Sequence, residues 1–279
     1  MKIASWNVNS LRVRLPQVMN WLAQQQPDIL GLQETKTTDS DFPAVAFDEV
    51  GYRVVFSGQK TYNGVAIISK TPTDGCLTDV PNLDDSQRRI LVANCNGVRV
   101  INLYVPNGSE VGSDKYAYKL DWLAKVRAFI REELTQYPYL VVLGDFNIAP
   151  EDRDVYDPVA WREKILCSTP EREAFQGLLG LGLADAFRLF EQPPATYSWW
   201  DYRAAGFRRN LGLRIDHILV NPMLQSQCVA CRIDVEPRKL ERPSDHAPIM
   251  AEFATDEARS AEHRATCSQR EMRSRGDRT

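Results

Sequence analysis

The stretch YLVVLGDFNIAP, residues 139 to 150, runs an apolar segment, Tyr139 to Leu143, into a glycine, an aspartate and an asparagine. A short apolar run bounded by turn residues reads as a buried strand. Gly, Asp and Asn are ordinary turn formers, so Gly144 onward also reads as a plain strand stop. A sharper reading makes it a delivery. Side chains two apart on a strand share a face, so Asp145 and Asn147 point at one target while Phe146 turns into the core. Glu151 and Asp152, equally acidic, then fall to loop surface.

Similar runs recur at Lys2 to Val8, Asp28 to Leu32, Tyr52 to Phe56, Gly64 to Ile68, Ile90 to Ala93, Val98 to Tyr104, Leu213 to Val220 and Ala247 to Phe253. Helical spacing marks three segments. Leu15 to Gln25 has Pro16 near its first turn, and Lys115 to Leu134 carries Leu120, Leu123, Val126 and Ile130. The third, Thr169 to Leu181, opens on a threonine cap with early acid. The helices are few and the hairpin-like strand pairs many, which predicts two stacked sheets flanked by helices over a regular β-α-β alternation. After Phe253 the character changes. Residues 254–279 hold almost no large apolar side chain and are crowded with charge of both signs, which predicts a disordered or weakly helical tail behind a single domain over 1–253.

With 279 residues, 43% of them hydrophobic, the chain can bury a large core. It shows no leader-like start and no run of about 18 uncharged apolar residues, so export and membrane insertion are not expected. Six scattered cysteines fit a reducing cytoplasm better than a disulfide scaffold. Cys228 and Cys231 form the one close pair, read as small residues on a strand rather than as half of a zinc site. A net charge of -3 rules out a grip on nucleic acid through bulk positive charge. An anionic partner would need metal and local patches, with candidates at Gln87-Arg-Arg89, at Arg203 with Arg208 and Arg209, and at Arg238-Lys239. Each taken alone reads equally well as solvated surface.

Polar groups interrupt the apolar strands close to their ends: Asn7 and Asn9, Glu34, Asp145 and Asn147, Asp216 and His217, Asp245 and His246. Together they supply hard oxygen ligands for Mg²⁺ or Mn²⁺ and an imidazole able to handle phosphate charge or a proton. That inventory suits metal-assisted phosphodiester cleavage. No G-x-S-x-G elbow, Walker loop or dinucleotide fingerprint competes with it. His217 alternates with Asp216, so it faces the other way and reads as a packed histidine; His263 lies in the tail.

The segments ASWNVNSLR, DILGLQETK, GVAIISK, SQRRIL, INLYVPNG, GDFNIAP, TYSWWDYR, GLRIDHILV and PSDHAP occur in this order over residues 1 to 253. In that order they resemble the exonuclease III branch of the endonuclease/exonuclease/phosphatase superfamily. The resemblance implies an α/β fold, a four-layer α-β-β-α sandwich with two packed mixed sheets flanked by helices. It implies a Mg²⁺-dependent DNA repair nuclease, with Mn²⁺ able to substitute, that incises duplex DNA 5′ to abasic sites and trims 3′ ends as a monomer.

The resemblance also implies roles. Glu34 is the principal metal ligand, with Asn7 and Asp245 near or on the ion, and His246 counted among the metal-site residues. Asp145 and Asn147 bind a second ion or only the attacking water, and Asp145 positions or deprotonates that water. Asp216 orients His246, which meets the phosphate or acts as acid/base, and Tyr104 approaches the same phosphate. Asn9, Arg89 and Asn107 grip the DNA backbone. Trp199 and Leu213 line an apolar pocket for an extruded abasic sugar, a reading that stands beside plain packing of the Trp199-Trp200 pair. Two other functions compete: a phosphatase of small phosphorylated molecules, and a catalytically silent binding protein on the same fold. The presence of the whole polar set argues against the latter.

Overall fold

Strand β1 (Lys2–Asn7) lies parallel to β2 (Ile29–Gln33), and the connection that parallel pairing requires is helix α1 (Leu11–Gln25). The same construction recurs where β7 (Val98–Tyr104) pairs in parallel with β8 (Leu140–Asp145) across α3 (Asp114–Gln136). Each parallel pair is the centre of a six-stranded mixed sheet in the computed structural model, which describes residues 1–83 and 85–254. The expected tail, past its first residue Ala254, lies outside the described residues.

The first sheet adds β14 (Ile249–Phe253) and β13 (Cys228–Ile233) beside β1, and β4 (Val65–Ser69) and β3 (Arg53–Ser57) beside β2. The second adds β6 (Ile90–Cys95) and β5 (Thr73–Leu77) beside β7, and β12 (Asp216–Val220) and β9 (Ala184–Asp185) beside β8. A two-strand ribbon, β10 (Trp199–Trp200) with β11 (Gly212–Leu213), stands apart. Short helices α2 (Ala44–Asp48), α4 (Pro158–Trp161) and α6 (Pro222–Gln225) and the longer α5 (Thr169–Leu179) complete the elements.

Alternation along the strands divides the apolar side chains between three layers of core. Ile3, Ile29 and Ile67 of the first sheet meet Val100, Val141, Leu143 and Ile218 of the second. Ala4, Trp6, Leu30 and Leu32 point the other way, onto Val18, Trp21 and Leu22 of α1. Ile101, Leu103 and Val142 pack on Trp122, Val126 and Ile130 of α3 and on Phe175 of α5. The result is the four-layer α-β-β-α sandwich. One buried amide also ties the sheets: Asn102 donates to the Leu32 and Ala66 carbonyls at 3.0 and 2.9 Å and accepts from Gln33 at 2.7 Å.

Three local expectations are corrected, and one strand was not expected. Helix α1 begins at Leu11, so Pro16 lies inside it. The Ser10 and Leu11 amides donate to the Glu34 and Thr35 carbonyls, at 2.7 and 3.0 Å, and this tie starts the helix early. The cap of α5 is Ser168, which forms a capping box with Glu171 and leaves Pro170 in the first turn. The apolar run from Leu213 is not one strand. It breaks at Arg214, whose buried guanidinium turns to Asp154 and Asp185 at 2.7 Å each, while Ser198 Oγ accepts from both the Ile215 and Asp216 amides. Finally, β5 carries mostly exposed side chains, so no apolar period announced it.

Gly144 shows how tightly the second sheet is drawn at the end of β8. Its φ of +144° and its approach to β7 would bring a Cβ to 1.9 Å from the Leu103 carbonyl oxygen. Gly182, at φ +95°, has open space in the same position. We therefore expect Gly144→Ala to cost well over 2 kcal/mol in denaturant unfolding, and Gly182→Ala only about 1 kcal/mol from its backbone conformation. Equal losses would mean that the close contact carries no weight.

Candidate active site

Because β1, β2, β7 and β8 sit in parallel pairs, their C-terminal ends bring Asn7, Glu34, Tyr104 and Asp145 to one edge of the sandwich. The antiparallel neighbours enter from the opposite direction and reach the same edge with their beginnings. Asp216 opens β12 directly across from Asp145, and His246 precedes β14, which runs antiparallel to β1. The turns that release these side chains are left-handed at non-glycine residues: Asn9, Ser10, Glu34, Lys36 and Asn147 all have positive φ. Such a cluster marks backbone held against its preference at a functional edge.

That geometry modifies the expected delivery of Asn147. Strand β8 ends at Asp145, and Asn147 (φ +49°) meets it by a turn and not by strand alternation. The Asn147 amide donates to Asp145 Oδ1 at 2.8 Å, and its side chain donates to the Val105 carbonyl and to Asp145 Oδ2, at 3.0 and 3.3 Å. Phe146 is fully buried, as expected.

At the centre two buried acids share an imidazole. His246 Nδ1 lies 2.9 Å from Asp216 Oδ2, and its Nε2 lies 3.7 Å from Asp145 Oδ2. Burial alone would discharge the ring, but the carboxylates of Asp216 and Asp145 outweigh it and raise its pKa to about 10. Burial also drives the Asp145 carboxyl up to about 7, against the pull of His246 and with help from the charge of Asp216. Asn7 bridges the acids, donating to Glu34 Oε1 and Asp145 Oδ2 at 2.9 Å each. Burial, followed by the charges of Glu34 and Asp145, lifts the Tyr104 hydroxyl well above its ordinary range, so at neutral pH it is a donor.

The remaining expected residues surround this centre. Asn107 donates to Asn147 Oδ1 at 3.2 Å. Arg89 stacks over the Tyr104 ring at 4.7 Å and donates to the Tyr104 carbonyl. Asn9 and the Trp199 indole donate to the two oxygens of Asp245, at 2.9 and 3.0 Å. Trp199 and Leu213 are cross-strand partners. Leu213, however, has no exposed surface: it packs with Leu166, Cys167 and Ile215, and supports Trp199 from beneath without presenting a face of its own.

Two further readings are settled by contacts. His217 is a packed histidine, accepting from Arg214 at Nδ1 and donating from Nε2 to the Ile148 carbonyl, both at 3.0 Å. Arg238 is no surface patch: it is buried among Trp200, Tyr202 and Phe207 and donates to the Ser244 carbonyl. A residue not singled out from the sequence also joins the site, since Lys36 Nζ pairs with Glu34 Oε2 at 2.8 Å and donates to Asn9 Oδ1. The QETK order two residues past Glu34 was the available signal.

Two surface depressions flank the cluster. One of about 580 Å³ is lined by Arg12, Lys36 and Lys60, and one of about 310 Å³ by Tyr62, Arg89, Asn107 and Lys115. A third depression, of about 830 Å³ between segments 152–158 and 187–197, holds none of the site residues.

Ligand atoms of Glu34, Asp145 and His246 lie within 4.8 Å of one another. A hard divalent cation fits the carboxylates, which Asn7 joins through its Nδ2. An imidazolium cannot ligate, so His246 suits the phosphate better than the ion. Asp245 lies outside this group, and each of its oxygens accepts one hydrogen bond, from Asn9 and from Trp199. In calorimetric titration with Mn²⁺ we expect Glu34→Gln to weaken binding by about 10-fold or more, and Asp245→Asn to act only through its neighbours, by about 3-fold or less. A larger loss at Asp245 would return it to the ligand set.

The chain matches the model of the Endonuclease/Exonuclease/phosphatase family over residues 4–246. It is 38% identical over 267 residues to the exodeoxyribonuclease III of Haemophilus influenzae, covering 91% of this chain and 100% of that protein. It is 31% identical to the DNA repair nuclease APEX1 of Danio rerio over 89% of this chain and 81% of that one. Among solved structures, the 3′-5′ exonuclease NExo from Neisseria meningitidis superimposes with a TM-score of 0.90 at 54% identity, over 91% of this chain and 100% of that one. At the same similarity stands a structure described as the 3′ phosphatase NExo from Neisseria bound to product DNA hairpin. An AP endonuclease from Archaeoglobus fulgidus gives a TM-score of 0.88 at 40% identity over 91% and 100% of the two chains.

Proposed function

The chain belongs to the endonuclease/exonuclease/phosphatase family, and from that premise we propose how its site works. It is a DNA repair nuclease, with endonuclease activity at abasic sites and 3′-to-5′ exonuclease activity. The observation that carries the mechanism is the buried Asp216–His246–Asp145 array beside Glu34.

A phosphodiester resists attack mainly because it is negatively charged, so catalysis needs positive charge and donors where charge develops. Glu34 would hold Mg²⁺, for which Mn²⁺ would substitute, with Asn7 alongside. When bound, that ion supplies charge neutralisation at the phosphate oxygens. Asp145, with its carboxyl poised at about 7, is tuned to take a proton from the attacking water. Asn147 holds that carboxylate through two donors, its backbone amide and its side-chain nitrogen. His246, kept cationic by Asp216, and the Tyr104 hydroxyl meet the phosphate as donors.

Duplex DNA would follow the basic depressions on either side, gripped by Asn9, Arg89 and Asn107. Contacts spread in this way suit a polymer and not a small phosphate ester. Trp199 would cover the abasic sugar, with Leu213 packed behind it. The 3′-phosphatase activity named for the 54% identical relative also fits a site that reads a phosphate at a strand end. We take residues 1–253 as one nuclease domain with 254–279 as an appended charged tail, and the working form as a monomer in the cytoplasm. The five cysteines among the described residues are all free.

The test is a gel assay on a duplex with a single abasic site. We expect incision on its 5′ side that requires Mg²⁺, and a loss on the order of 10²-fold or more in Asp145→Asn, with cooperative unfolding retained. An inactive wild-type chain that instead releases phosphate from small esters would favour the small-molecule phosphatase reading.

A further inference from the structure

Lys119 has no exposed surface and lies close to Asp145; burial lowers its pKa against the pull of Glu171 and Asp145, and none of its three donors is idle. Its Nζ donates to the Asn147 carbonyl at 2.7 Å, to the Asn107 carbonyl at 3.1 Å and to Glu171 Oε1 at 2.5 Å. Glu171 is equally buried and passes the connection on, accepting from the Leu166 and Ser168 amides at 3.1 Å each and from the Ser168 hydroxyl at 2.6 Å. One ion pair therefore joins three loops that border the site: the loop after β7, the turn after β8 and the segment before α5. Room for the lysine stem is left by Gly108, where a Cβ would come within 3.1 Å of Lys119 Cδ.

A buried pair of this kind is not needed for stability, because apolar residues of the same volume commonly serve as well or better. What an apolar residue cannot supply is a donor aimed at two carbonyls. Those carbonyls belong to Asn107 and Asn147, whose side chains are themselves hydrogen-bonded. Asn147 is also the residue held in a left-handed turn against Asp145. Gripping its carbonyl fixes the peptide from which both its amide and its side chain reach that acid. We propose that Lys119 is a positioning residue of the hydrolytic step: with Glu171 as its counter-ion, it sets the Asn147 turn in reactive geometry and does not itself touch the substrate.

This inference rests on the nuclease reading, so wild-type incision of an abasic-site duplex is the control, and its failure would sink that reading first. Lys119→Met alone leaves Glu171 uncompensated and is expected to unfold easily, so the deciding variant is the charge-neutral double, Lys119→Met with Glu171→Gln. Glu171→Gln keeps one acceptor oxygen, for the Ser168 amide and hydroxyl, and gives up the one that accepts from the Leu166 amide. We expect the double variant to unfold cooperatively and to bind the abasic duplex within about 3-fold of wild type in Ca²⁺, while kcat in Mg²⁺ falls about 30-fold or more. A folded double variant with kcat within about 3-fold of wild type would overturn the proposal. So would parallel losses of kcat and duplex affinity, or a failure of the double variant to fold, since either would assign Lys119 a general structural role.

Discussion

Two carboxylates face each other across β8 and β12 with almost no water to separate them. Asp145 and Asp216 are register partners, 1% and 0% exposed. Like charges so placed would drive one acid neutral or push the strands apart, unless a cation stands between them. His246 is that cation, and its ring reaches both acids. Much of the edge follows from holding it there. Ser244 accepts from the His246 amide and donates to the Asn7 carbonyl, Arg238 clamps the Ser244 carbonyl from its aromatic cage, and the Trp6 indole donates to the His246 carbonyl.

The sandwich explains why such a cluster can exist. Parallel central strands send their C-terminal ends to one edge, and the antiparallel neighbours start there, so six strands contribute chemistry without any long loop. The sheets must approach closely at that edge. Gly144 permits this in the second sheet, and Gly31, where a Cβ would lie 2.3 Å from a Leu143 methyl, permits it between the sheets. The positive-φ turns at Asn9, Glu34 and Asn147 place polar side chains over the end of the core, and buried ties hold them: Asn102 across the sheets, Lys119 behind Asn147. Strain is concentrated where function requires geometry that relaxed strands would not supply.

Much of this was legible in the sequence, for identifiable reasons. Apolar runs marked the strands of both sheet centres because these are buried on both faces. Alternation placed Asp216 in the site and His217 away from it, since a strand allows no other assignment. What stayed hidden depends on distant partners. Nothing local distinguishes Lys119 from the exposed lysines of an amphipathic helix, and its acceptors come from two other loops and from Glu171 of α5. Arg238 looked like half of a basic surface pair because its aromatic cage arrives from residues 200–207. The break at Arg214 is caused by Asp154 and Asp185, 60 and 29 residues away. Leu213 was placed correctly beside Trp199, but its burial depends on Leu166 and Cys167, which no strand pattern reveals.

In the proposed mechanism an imidazolium, held by Asp216, works beside a carboxylate poised to accept a proton. The most direct measurement is the pH dependence of single-turnover incision of an abasic-site duplex in saturating Mg²⁺. Asp145 acts deprotonated, so the rate should rise with pH through a limb at or below about 7, because bound metal lowers the acid further. His246 acts protonated, so the rate should fall only as pH approaches about 10. Asp216→Asn removes a carboxylate that keeps the ring charged, and its descending limb should move down by a unit or more. A descending limb that is the same in both proteins, or absent up to about pH 10, would contradict the account.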